Sequence, residues 1–403
     1  MVMSVAPFDL NLRHLRAFVA AVAQGSISAA ADTVSLSQPA LTQGITKLER
    51  QLKTQLLHRQ SDGIVALDAG LLVAGRATAA LDHLAEAMRG KARGRGFARP
   101  ELLMTAAQMR AFLALADAGS FVGAAQATGL SQPALHRAVR DLEQICATAL
   151  AERRGRGVAL TATGRRLARG ARLARNEIAA AIAELATEPG ADRLVIGAMP
   201  LCRAFALPTA LARYVRGSPR ALIDVVEGSW RELVEPLRDG QLDMMIGALR
   251  PEAPPGLEQR ALFADRLVVI GRADHPLARH PAPSLDDLTR FEWIVGQPGT
   301  PLRTHWDAMF EGRTPPAAPI ECGSVMVARG ILRDTDLLTL LSPHQVAVEI
   351  RGGLLAAIGR GEEQGTRTIG VTTRSGWRPT AAQERFLDLL DEASTAPAVQ
   401  ELQ

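Results

Sequence analysis

The chain has 403 residues, which is long enough for two or three domains. Of these residues 47% are hydrophobic and 22% are charged, a composition typical of a globular protein. No run approaches the roughly 18 uninterrupted apolar residues that a membrane span requires, and the N-terminus lacks the pattern of a secretion signal. The sequence therefore predicts a cytoplasmic protein. Its cysteines, Cys146, Cys202 and Cys322, lie far apart and predict neither a disulfide framework nor a metal site.

The charge is distributed unevenly along the chain. Residues 1–190 hold 23 Lys and Arg against 15 Asp and Glu, whereas residues 191–403 hold 23 against 27. A basic first half suggests that this half meets nucleic acid. The alternative is that an arginine-rich composition follows a GC-rich genome, since only three of the basic residues are lysines.

An internal repeat organises the basic half. Shifting the chain by 94 residues aligns Arg16–Glu49 with Arg110–Glu143, and the pentapeptide SQPAL recurs unchanged. Other pairs that recur at this shift are Gly25-Ser26 with Gly119-Ser120 and Leu48-Glu49 with Leu142-Glu143. A unit of about 75 residues has therefore been duplicated.

Each copy is predicted to contain three short helices. The third helix of the first copy begins at Ser37, whose hydroxyl can cap the first turn, and Pro39 lies in that turn, where its missing N–H costs little. Two helices joined by a tight turn, the second with a polar outer face, indicate a helix-turn-helix. Short apolar runs at 63–65 and 157–160 predict a β-wing in each copy, followed by a long alanine-rich helix.

The residues predicted to contact DNA lie on the third helix and the wing of each copy: Ser37, Gln38, Pro39, Thr42, Gln43 and Lys47 in the first, and Ser131, Gln132, Pro133, His136, Arg137, Arg140, Arg153, Arg154 and Arg156 in the second. Because cations supply most DNA affinity, the second copy is expected to bind more strongly. The first reads bases with Gln38 and Gln43, or serves mainly in dimer contacts. The alternative for His136 and the arginines is an ordinary solvated helix face.

Two further features of the basic half bear on assembly. The segment from Arg89 to Pro100 is glycine-rich and basic, which predicts a flexible linker that touches phosphates or the minor groove, or a plain solvated connector. The second long helix carries an apolar stripe that suits a helix of a partner subunit or one of the same chain: Leu167, Leu173, Ile178, Ile182 and Leu185.

From Asp192 onward, near-continuous apolar strands alternate with helices, which predicts an α/β domain with parallel sheets. The predicted strands are the segments RLVIGA, ALIDVVEG, LDMMIGAL, RLVVIG, FEWIVGQ, DLLTLLS and RTIGVTTR. Ser229, Thr300 and Ser324 each stand where a helix is expected to start after a strand. Free N–H groups at such starts can hold an anion or a polyol; the alternative is that these are simply well-capped helices.

Each copy of the repeat resembles the N-terminal winged helix-turn-helix of LysR-type transcription regulators, through the LRxF start, the Gly-Ser pair and SQPAL. Residues 192–395 are similar to the effector domain of that family, a two-lobed fold like that of periplasmic binding proteins. A typical member carries one helix-turn-helix, so the tandem pair is a departure. The resemblance implies these domains: winged helix-turn-helix 10–68, linker helix 69–90, basic linker 91–103, winged helix-turn-helix 104–162, linker helix 163–188, and effector domain 192–395, with lobe 1 at 192–264 and 367–395 and lobe 2 at 265–366.

The resemblance also implies a function: regulation of transcription by a small-molecule inducer, a sugar or an aromatic or organic acid. The inducer-facing positions it implies are Leu201, Cys202, Ser229, Gly247, Gln297, Thr300, Gly323 and Ser324. Many members have Ser or Thr where this chain has Leu201 and Cys202. Cys202 is interpreted either as a redox sensor or as a small buried thiol.

The expected partners are double-stranded operator DNA, the inducer, RNA polymerase and further copies of the chain, as a homodimer or homotetramer at the nucleoid. The histidines are scattered, and HExxH, GxSxG and Walker-type motifs are missing from the sequence, so neither catalysis nor a cofactor is expected. The alternative function is a cytoplasmic small-molecule-binding protein with non-specific or architectural DNA binding.

Overall fold

The computed structural model describes residues 5–60, 63–89, 97–155, 157–186, 193–200, 202, 206–358 and 366–395. The chain divides into two compact units, residues 1–192 with 238–241, and residues 193–237 with 242–403. None of the helices within the described ranges is long and apolar enough to cross a membrane.

The first unit contains two winged helix-turn-helix heads, each followed by a long helix. Head 1 and its long helix comprise α1 Leu12–Gln24, α2 Ile27–Thr33, α3 Gln38–Leu52, β1 Leu57–Gln60, β2 Gly63–Ala66 and α4 Asp68–Met88. Head 2 and its long helix comprise α5 Ala106–Ala118, α6 Phe121–Thr128, α7 Gln132–Cys146, β3 Ala151–Arg154, β4 Gly157–Leu160 and α8 Ala162–Glu184. A short 3-10 turn precedes each head, at Pro7–Asp9 and Pro100–Leu102.

Residues that recur in the sequence connect the first helix of each head to its wing. Gly25 and Gly119 end the first helix of their heads in the left-handed region, each with φ of 61°, and their carbonyls accept the N–H groups of Ile64 and Val158 from the wing. Left-handed backbone favours glycine because it lacks a Cβ. The repeat therefore preserves the contact between the first helix and the wing.

The recurring Leu-Glu pair anchors the wing to the third helix. Glu49 Oε1 accepts the backbone N–H groups of Leu56 and Leu57 at 2.9 and 3.2 Å. Glu143 Oε1 accepts those of Leu150 and Ala151 at 2.9 and 3.3 Å. These N–H groups precede or begin a strand and would otherwise be left without a partner, so the carboxylate fixes where the wing starts.

The long helices α4 and α8 pack side by side within one chain, and a continuous hydrophobic core joins them to both heads. Of the two possibilities for the apolar stripe of α8, the structure shows packing within the chain. Leu167 and Ile178 of that stripe are fully buried, and Ile182 and Leu185 are partly buried.

The second unit has two five-stranded sheets covered by helices. Its strands are β5 Arg193–Ala198, β6 Leu222–Glu227, β7 Met244–Ala248, β8 Leu257–Asp265, β9 Val268–Arg272, β10 Trp293–Val295, β11 Ile320–Glu321, β12 Leu338–Leu341, β13 Leu355–Ala357 and β14 Arg367–Arg374. Its helices are α9 Ala206–Gly217, α10 Trp230–Arg238, α11 Leu285–Leu288, α12 Pro301–Met309, α13 Val325–Arg333, α14 Ala347–Arg351 and α15 Ala381–Thr395.

One sheet has the order β6-β5-β7-β14-β8 and the other β11-β10-β12-β9-β13. The expectation of parallel sheets is wrong for part of each. Strand β14 runs antiparallel to β7 and β8, and β9 runs antiparallel to β12 and β13. The chain enters or leaves each sheet along these strands as it crosses between lobes, so they are not part of a strand–helix–strand unit.

Candidate nucleic-acid interface and effector site

In head 1, helix α3 presents its polar face from a capped start. Ser37 Oγ accepts the N–H of Ala40 at 3.3 Å, and Pro39 occupies the second helical position. Gln38, Gln43 and Lys47 are exposed, whereas Thr42 is half-buried. The amide of Gln38 is already engaged, because its Nε2 donates to Ser28 Oγ of α2 at 2.8 Å.

In head 2, helix α7 starts in the same way, with Ser131 Oγ accepting the N–H of Ala134 at 3.3 Å. Gln132, Pro133, His136, Arg137 and Arg140 are all exposed. The ring of His136 stacks on Phe121 with centroids 3.6 Å apart and planes 20° from parallel. This stacking fixes the imidazole beside the two arginines.

The two wings also differ in the charged side chains that they expose. Arg153 and Arg154 are exposed on β3, paired in register with Val158 and Gly157 of β4. Arg156 lies outside the described residues. The corresponding strand of head 1 exposes His58 and Arg59, and a groove between this wing and α3 is lined in part by Thr42, Thr46 and Arg59. Of the charged groups predicted from sequence, most belong to head 2.

In lobe 1, two of the predicted inducer-facing residues, Cys202 and Gly247, follow or lie in neighbouring strands. Cys202 is only 2% exposed, and its thiol donates to the carbonyls of Met199 and Ile246, each at 3.1 Å. Gly247 is buried directly against Met199, where a Cβ would lie 2.1 Å from the Met199 Cε. Leu201 lies outside the described residues. The placement of Cys202 fits a packed thiol, because almost none of its surface is exposed.

Ser229 of lobe 1 is exposed at the start of α10, but its polar groups are occupied by Glu232. Both the N–H and the hydroxyl of Ser229 donate to Glu232 Oε2, at 2.7 and 2.8 Å. These hydrogen bonds lower the pKa of Glu232, so the carboxylate is charged at neutral pH. A negative charge therefore lies where the sequence suggested free donors.

In lobe 2, the remaining predicted residues surround the ends of β10 and β11. Thr300 Oγ1 accepts the N–H of Arg303 at 3.4 Å and donates to the Gln297 carbonyl at 2.7 Å. Ser324 Oγ accepts the N–H of Val327 at 3.4 Å. A small pocket at this end is lined in part by Gly323 and Ser324. The structure thus gathers these four residues within one lobe.

Arg303 was not among the residues predicted for this site; its guanidinium donates to Asp307 and Glu321 beside the pocket, at 2.9 and 2.8 Å. The hydrogen bonds that Arg303 donates to Asp307 and, second, to Glu321 raise its pKa. Its position three residues after the Thr300 cap was the available signal. The cation is held by two carboxylates, so this edge of lobe 2 has little net positive charge.

A buried polar cluster joins the two crossovers between the lobes. Asp265, at the end of β8, accepts from Ser342 Oγ at 2.5 Å and from Arg367 Nε at 2.9 Å. The Asp265 side chain is fully buried, and that of Arg367 is 14% exposed. Asp265 ends β8 and Arg367 begins β14, so the cluster ties together the two chain segments that cross between the lobes.

Comparison with known sequences identifies the family. Residues 12–71 and again 106–165 match the domain described as "Bacterial regulatory helix-turn-helix protein, lysR family", and residues 187–395 match the "LysR substrate binding domain". The chain belongs to the LysR family. It is a transcription regulator with DNA-binding helix-turn-helix domains and an effector-binding domain, and the resemblance inferred from sequence is confirmed.

Two curated relatives differ in how much of this LysR protein they match. The HTH-type transcriptional regulator GalR of Pseudomonas putida is 30% identical over 395 residues, covering 96% of this chain and 98% of the relative. The HTH-type transcriptional regulator PcaQ of Agrobacterium fabrum is 24% identical and covers 71% of this chain but 94% of itself, so it is the shorter protein. Both are named as regulators.

A solved structure shows the same fold. A single-residue variant of full-length OxyR from Pseudomonas aeruginosa aligns with a TM-score of 0.59 and 22% sequence identity, covering 74% of this chain and 98% of that one. The prediction of helix-turn-helix domains followed by a two-lobed α/β effector domain is confirmed.

Proposed function

We propose that this regulator binds operator DNA through both heads and that a small-molecule inducer, bound by its effector domain, changes that binding. The observation that supports it most is the shared presentation of α3 and α7. Both helices start at a serine cap and expose a polar face beside a wing. A helix held in this way suits the major groove, where side chains reach base edges. The regulator would then act in the cytoplasm, at the nucleoid, with RNA polymerase as its downstream partner.

The two heads would contribute differently to DNA binding. Arg137, Arg140, Arg153 and Arg154 are exposed cations that would neutralise phosphates, and phosphate contacts supply most of the affinity. In head 1, Gln43 is exposed and suits direct pairing with adenine. Gln38 would have to leave its bond to Ser28 before it could reach a base.

For the inducer, the geometry favours a neutral sugar over an organic acid. The ionised Glu232 beside Ser229 would repel a carboxylate, whereas it accepts hydrogen bonds from hydroxyl groups. The cation near Ser324, Arg303, is already paired with two carboxylates. Closure of the lobes about the cluster at Asp265 would then alter how the heads are held.

We also propose that chains associate through their effector domains as homodimers or homotetramers. Strand β6 lies at the edge of its sheet and exposes apolar side chains, with Leu222 61% exposed and Val225 and Val226 near 40%. An exposed apolar edge strand is a ready site of association.

Genome-wide footprinting of the tagged protein would test the DNA-binding part. We expect discrete peaks for the wild type, strong loss for the Arg137→Ala, Arg140→Ala double variant, and altered sequence preference for Gln43→Ala. Uniform, sequence-independent occupancy would contradict the proposal and favour architectural DNA binding. Arg220→Ala, an exposed arginine of the effector domain, is the control for loss of charge alone.

Thermal unfolding with added ligands would test the inducer. A ligand at 100 times its dissociation constant stabilises the folded state by about 2.7 kcal/mol, so a panel of neutral monosaccharides should raise Tm more than benzoate-type acids. A Ser324→Ala, Thr300→Ala variant should lose the shift. A larger shift with the acids would overturn the preference for a sugar. With no shift from any probe, the inducer hypothesis would fail.

A further inference from the structure

The two long helices of one chain bury matching faces against each other. At the 94-residue shift of the repeat, eight buried positions of α4 coincide with eight of α8. They are Gly70, Val73, Ala74, Arg76, Ala77, Ala80, Leu84 and Ala87 in α4, and Gly164, Leu167, Ala168, Gly170, Ala171, Ala174, Ile178 and Ala181 in α8. Such correspondence indicates that an approximate two-fold axis inside the chain relates the two copies.

One ion pair and one close backbone approach confirm the direction of this pairing. Arg76 of α4 meets Glu177 of α8, and Gly170 of α8 lies against His83 of α4. At the 94-residue shift, Arg76 corresponds to Gly170 and Glu177 corresponds to His83, so the second contact is the counterpart of the first. The helices are therefore antiparallel, and each contact occurs twice with different residues.

Each 3-10 turn that precedes a head contacts the first helix of the other head, as the same approximate two-fold axis requires. Arg16 of α1 donates to the carbonyl of Leu102 at 2.9 Å and to that of Glu101. Arg110, its counterpart in α5, donates to Asp9 Oδ1 at 3.2 Å. Each head is thus fastened by the turn that belongs to the other copy.

The interface is nevertheless asymmetric at its polar positions. Arg76 is buried, and its guanidinium bonds Glu177 at 3.2 Å and Glu184 at 2.5 Å. Its counterpart is Gly170, where a Cβ would lie 2.6 Å from the His83 carbonyl oxygen. On one side of the axis the long Arg76 side chain fills the interface. On the other side Gly170 lets the two helix backbones come close together.

This asymmetry opposes pairing of like helices. In an α4–α4 pair, Arg76 would face His83, the counterpart of Glu177, and would lose its carboxylates. In an α8–α8 pair, Glu177 and Glu184 would lie opposite Gly170 without the guanidinium. Leaving buried charges without partners is strongly destabilising, so the residues specify that α4 pairs with α8.

From this pairing we infer that one chain is a complete two-headed DNA-reading unit, which occupies an operator of two unlike half-sites. The inference rests on the proposed function of the heads. Head 1 presents Gln43 at the position of Arg137 in head 2, and Lys47 at the position of Asp141, so the two half-sites must differ in sequence. Pairing of two equal heads, as in a symmetric dimer, would instead require a palindrome.

Selection from a pool of random double-stranded DNA with the full-length protein would reveal the half-sites. We expect an enriched site of two dissimilar halves, of which Arg137→Ala with Arg140→Ala removes one and Gln43→Ala with Lys47→Ala removes the other. An enriched palindrome would overturn the inference while leaving the proposed function intact. No enrichment at all would overturn both.

Co-expression of the two variants then tests whether the heads pair within one chain. If α4 pairs with α8 of the same chain, every unit retains one defective head, and the mixture binds the composite site no more tightly than either variant alone. If the long helices were exchanged between chains, some units would contain two intact heads. Affinity within about threefold of the wild type would then return, and the inference would fail.

The composite site should be bound at least about tenfold more weakly by each variant than by the wild type, which corresponds to about 1.4 kcal/mol. All four substitutions lie on exposed helix faces. Equal thermal unfolding temperatures for the variants and the wild type would show that the losses come from DNA contacts.

Discussion

Head 1 and head 2 share the residues that hold their backbones and differ in the residues that they expose. The carboxylates Glu49 and Glu143 each accept two wing N–H groups with nearly the same geometry. On the outer face, by contrast, the exposed Arg140 of α7 stands at the position of Thr46 in α3. The duplication has preserved the scaffold and changed the recognition surface, which is what unlike half-sites require.

The long helices show the largest difference between the copies, and Arg76→Met should have the largest effect on stability. Removing the guanidinium takes the Arg76 ion pairs away from Glu177 and Glu184, whose side chains are 12% and 16% exposed. Breaking a buried pair from one side costs about 3–5 kcal/mol. Urea unfolding would measure this loss.

Two variants sharpen that measurement. Arg172→Met removes an equally buried arginine, but its partner Asp117 is 50% exposed and can be solvated, so a smaller loss is expected. Replacing both glutamates by glutamine in the Arg76→Met background should recover part of the stability. A loss for Arg76→Met no greater than that for Arg172→Met would show that the ion pair does not specify the interface.

The scaffold itself should respond equally in both heads. A Cβ on Gly70 would lie 2.1 Å from the Leu56 carbonyl oxygen, and one on Gly164 would lie 1.9 Å from that of Leu150. Because backbone atoms cannot rotate away, Gly70→Ala and Gly164→Ala should each cost about 1–3 kcal/mol or more. Gly330→Ala, where a Cβ meets nothing within 4 Å, is the control and should be neutral or slightly stabilising. Unequal losses at 70 and 164 would mean that the scaffolds are not equivalent.

How far the sequence predicts this molecule depends on how local the signal is. Neighbouring residues are enough to predict the repeat, the serine caps and seven strands of the effector domain. The structure contains all of them. Strand β8 was missed because its burial alternates irregularly and it is held by long-range pairing with β14. Strand β11 has only two residues, too few for a pattern, and the three residues of β13 include two alanines, which are depleted in strands.

The buried polar contacts could not be predicted from neighbouring residues either, because their partners are far apart in the sequence. Asp265, Ser342 and Arg367 are separated by 77 and 102 residues and meet only because the chain crosses between sheets. Arg76 and Glu184 are 108 residues apart. A hint was present, since Glu177 and Glu184 are seven residues apart on one face of α8, but nothing local indicates that Arg76 faces them.

The recognition surfaces should differ in how their DNA binding depends on salt. Each phosphate contact contributes about 0.9 to the slope of log K against log salt. Arg137→Ala with Arg140→Ala should therefore reduce the slope by about 2, Lys47→Ala by about 1, and Gln43→Ala by almost nothing. Fluorescence anisotropy across a salt series would measure these slopes. A slope unchanged by the arginine pair would show that head 2 does not neutralise phosphates.

The smallest expected effect distinguishes the heads by pH. His14 of α1 lies against α3, where a Cβ on Gly44 would be 3.0 Å from its ring, and its Nδ1 is buried without a hydrogen bond among the described residues. Burial lowers the pKa of His14, and Lys47 and Arg13 lower it further. The corresponding pair in head 2 is Gln108 and Ala138, with no imidazole.

Because the folded pKa of His14 lies below its unfolded value of 6.5, the unfolded chain binds the extra proton. The contribution of His14 to stability is therefore complete above pH 6.5 and is lost as the pH falls toward the lowered folded value. His14→Gln, which copies head 2, should reduce the fall in Tm between pH 7.5 and 5.5. Burial also lowers the pKa values of His275 and His344, so part of the fall remains in the variant. An identical fall in both proteins would show that protonating His14 does not destabilise head 1, and this pH difference between the heads would then be absent.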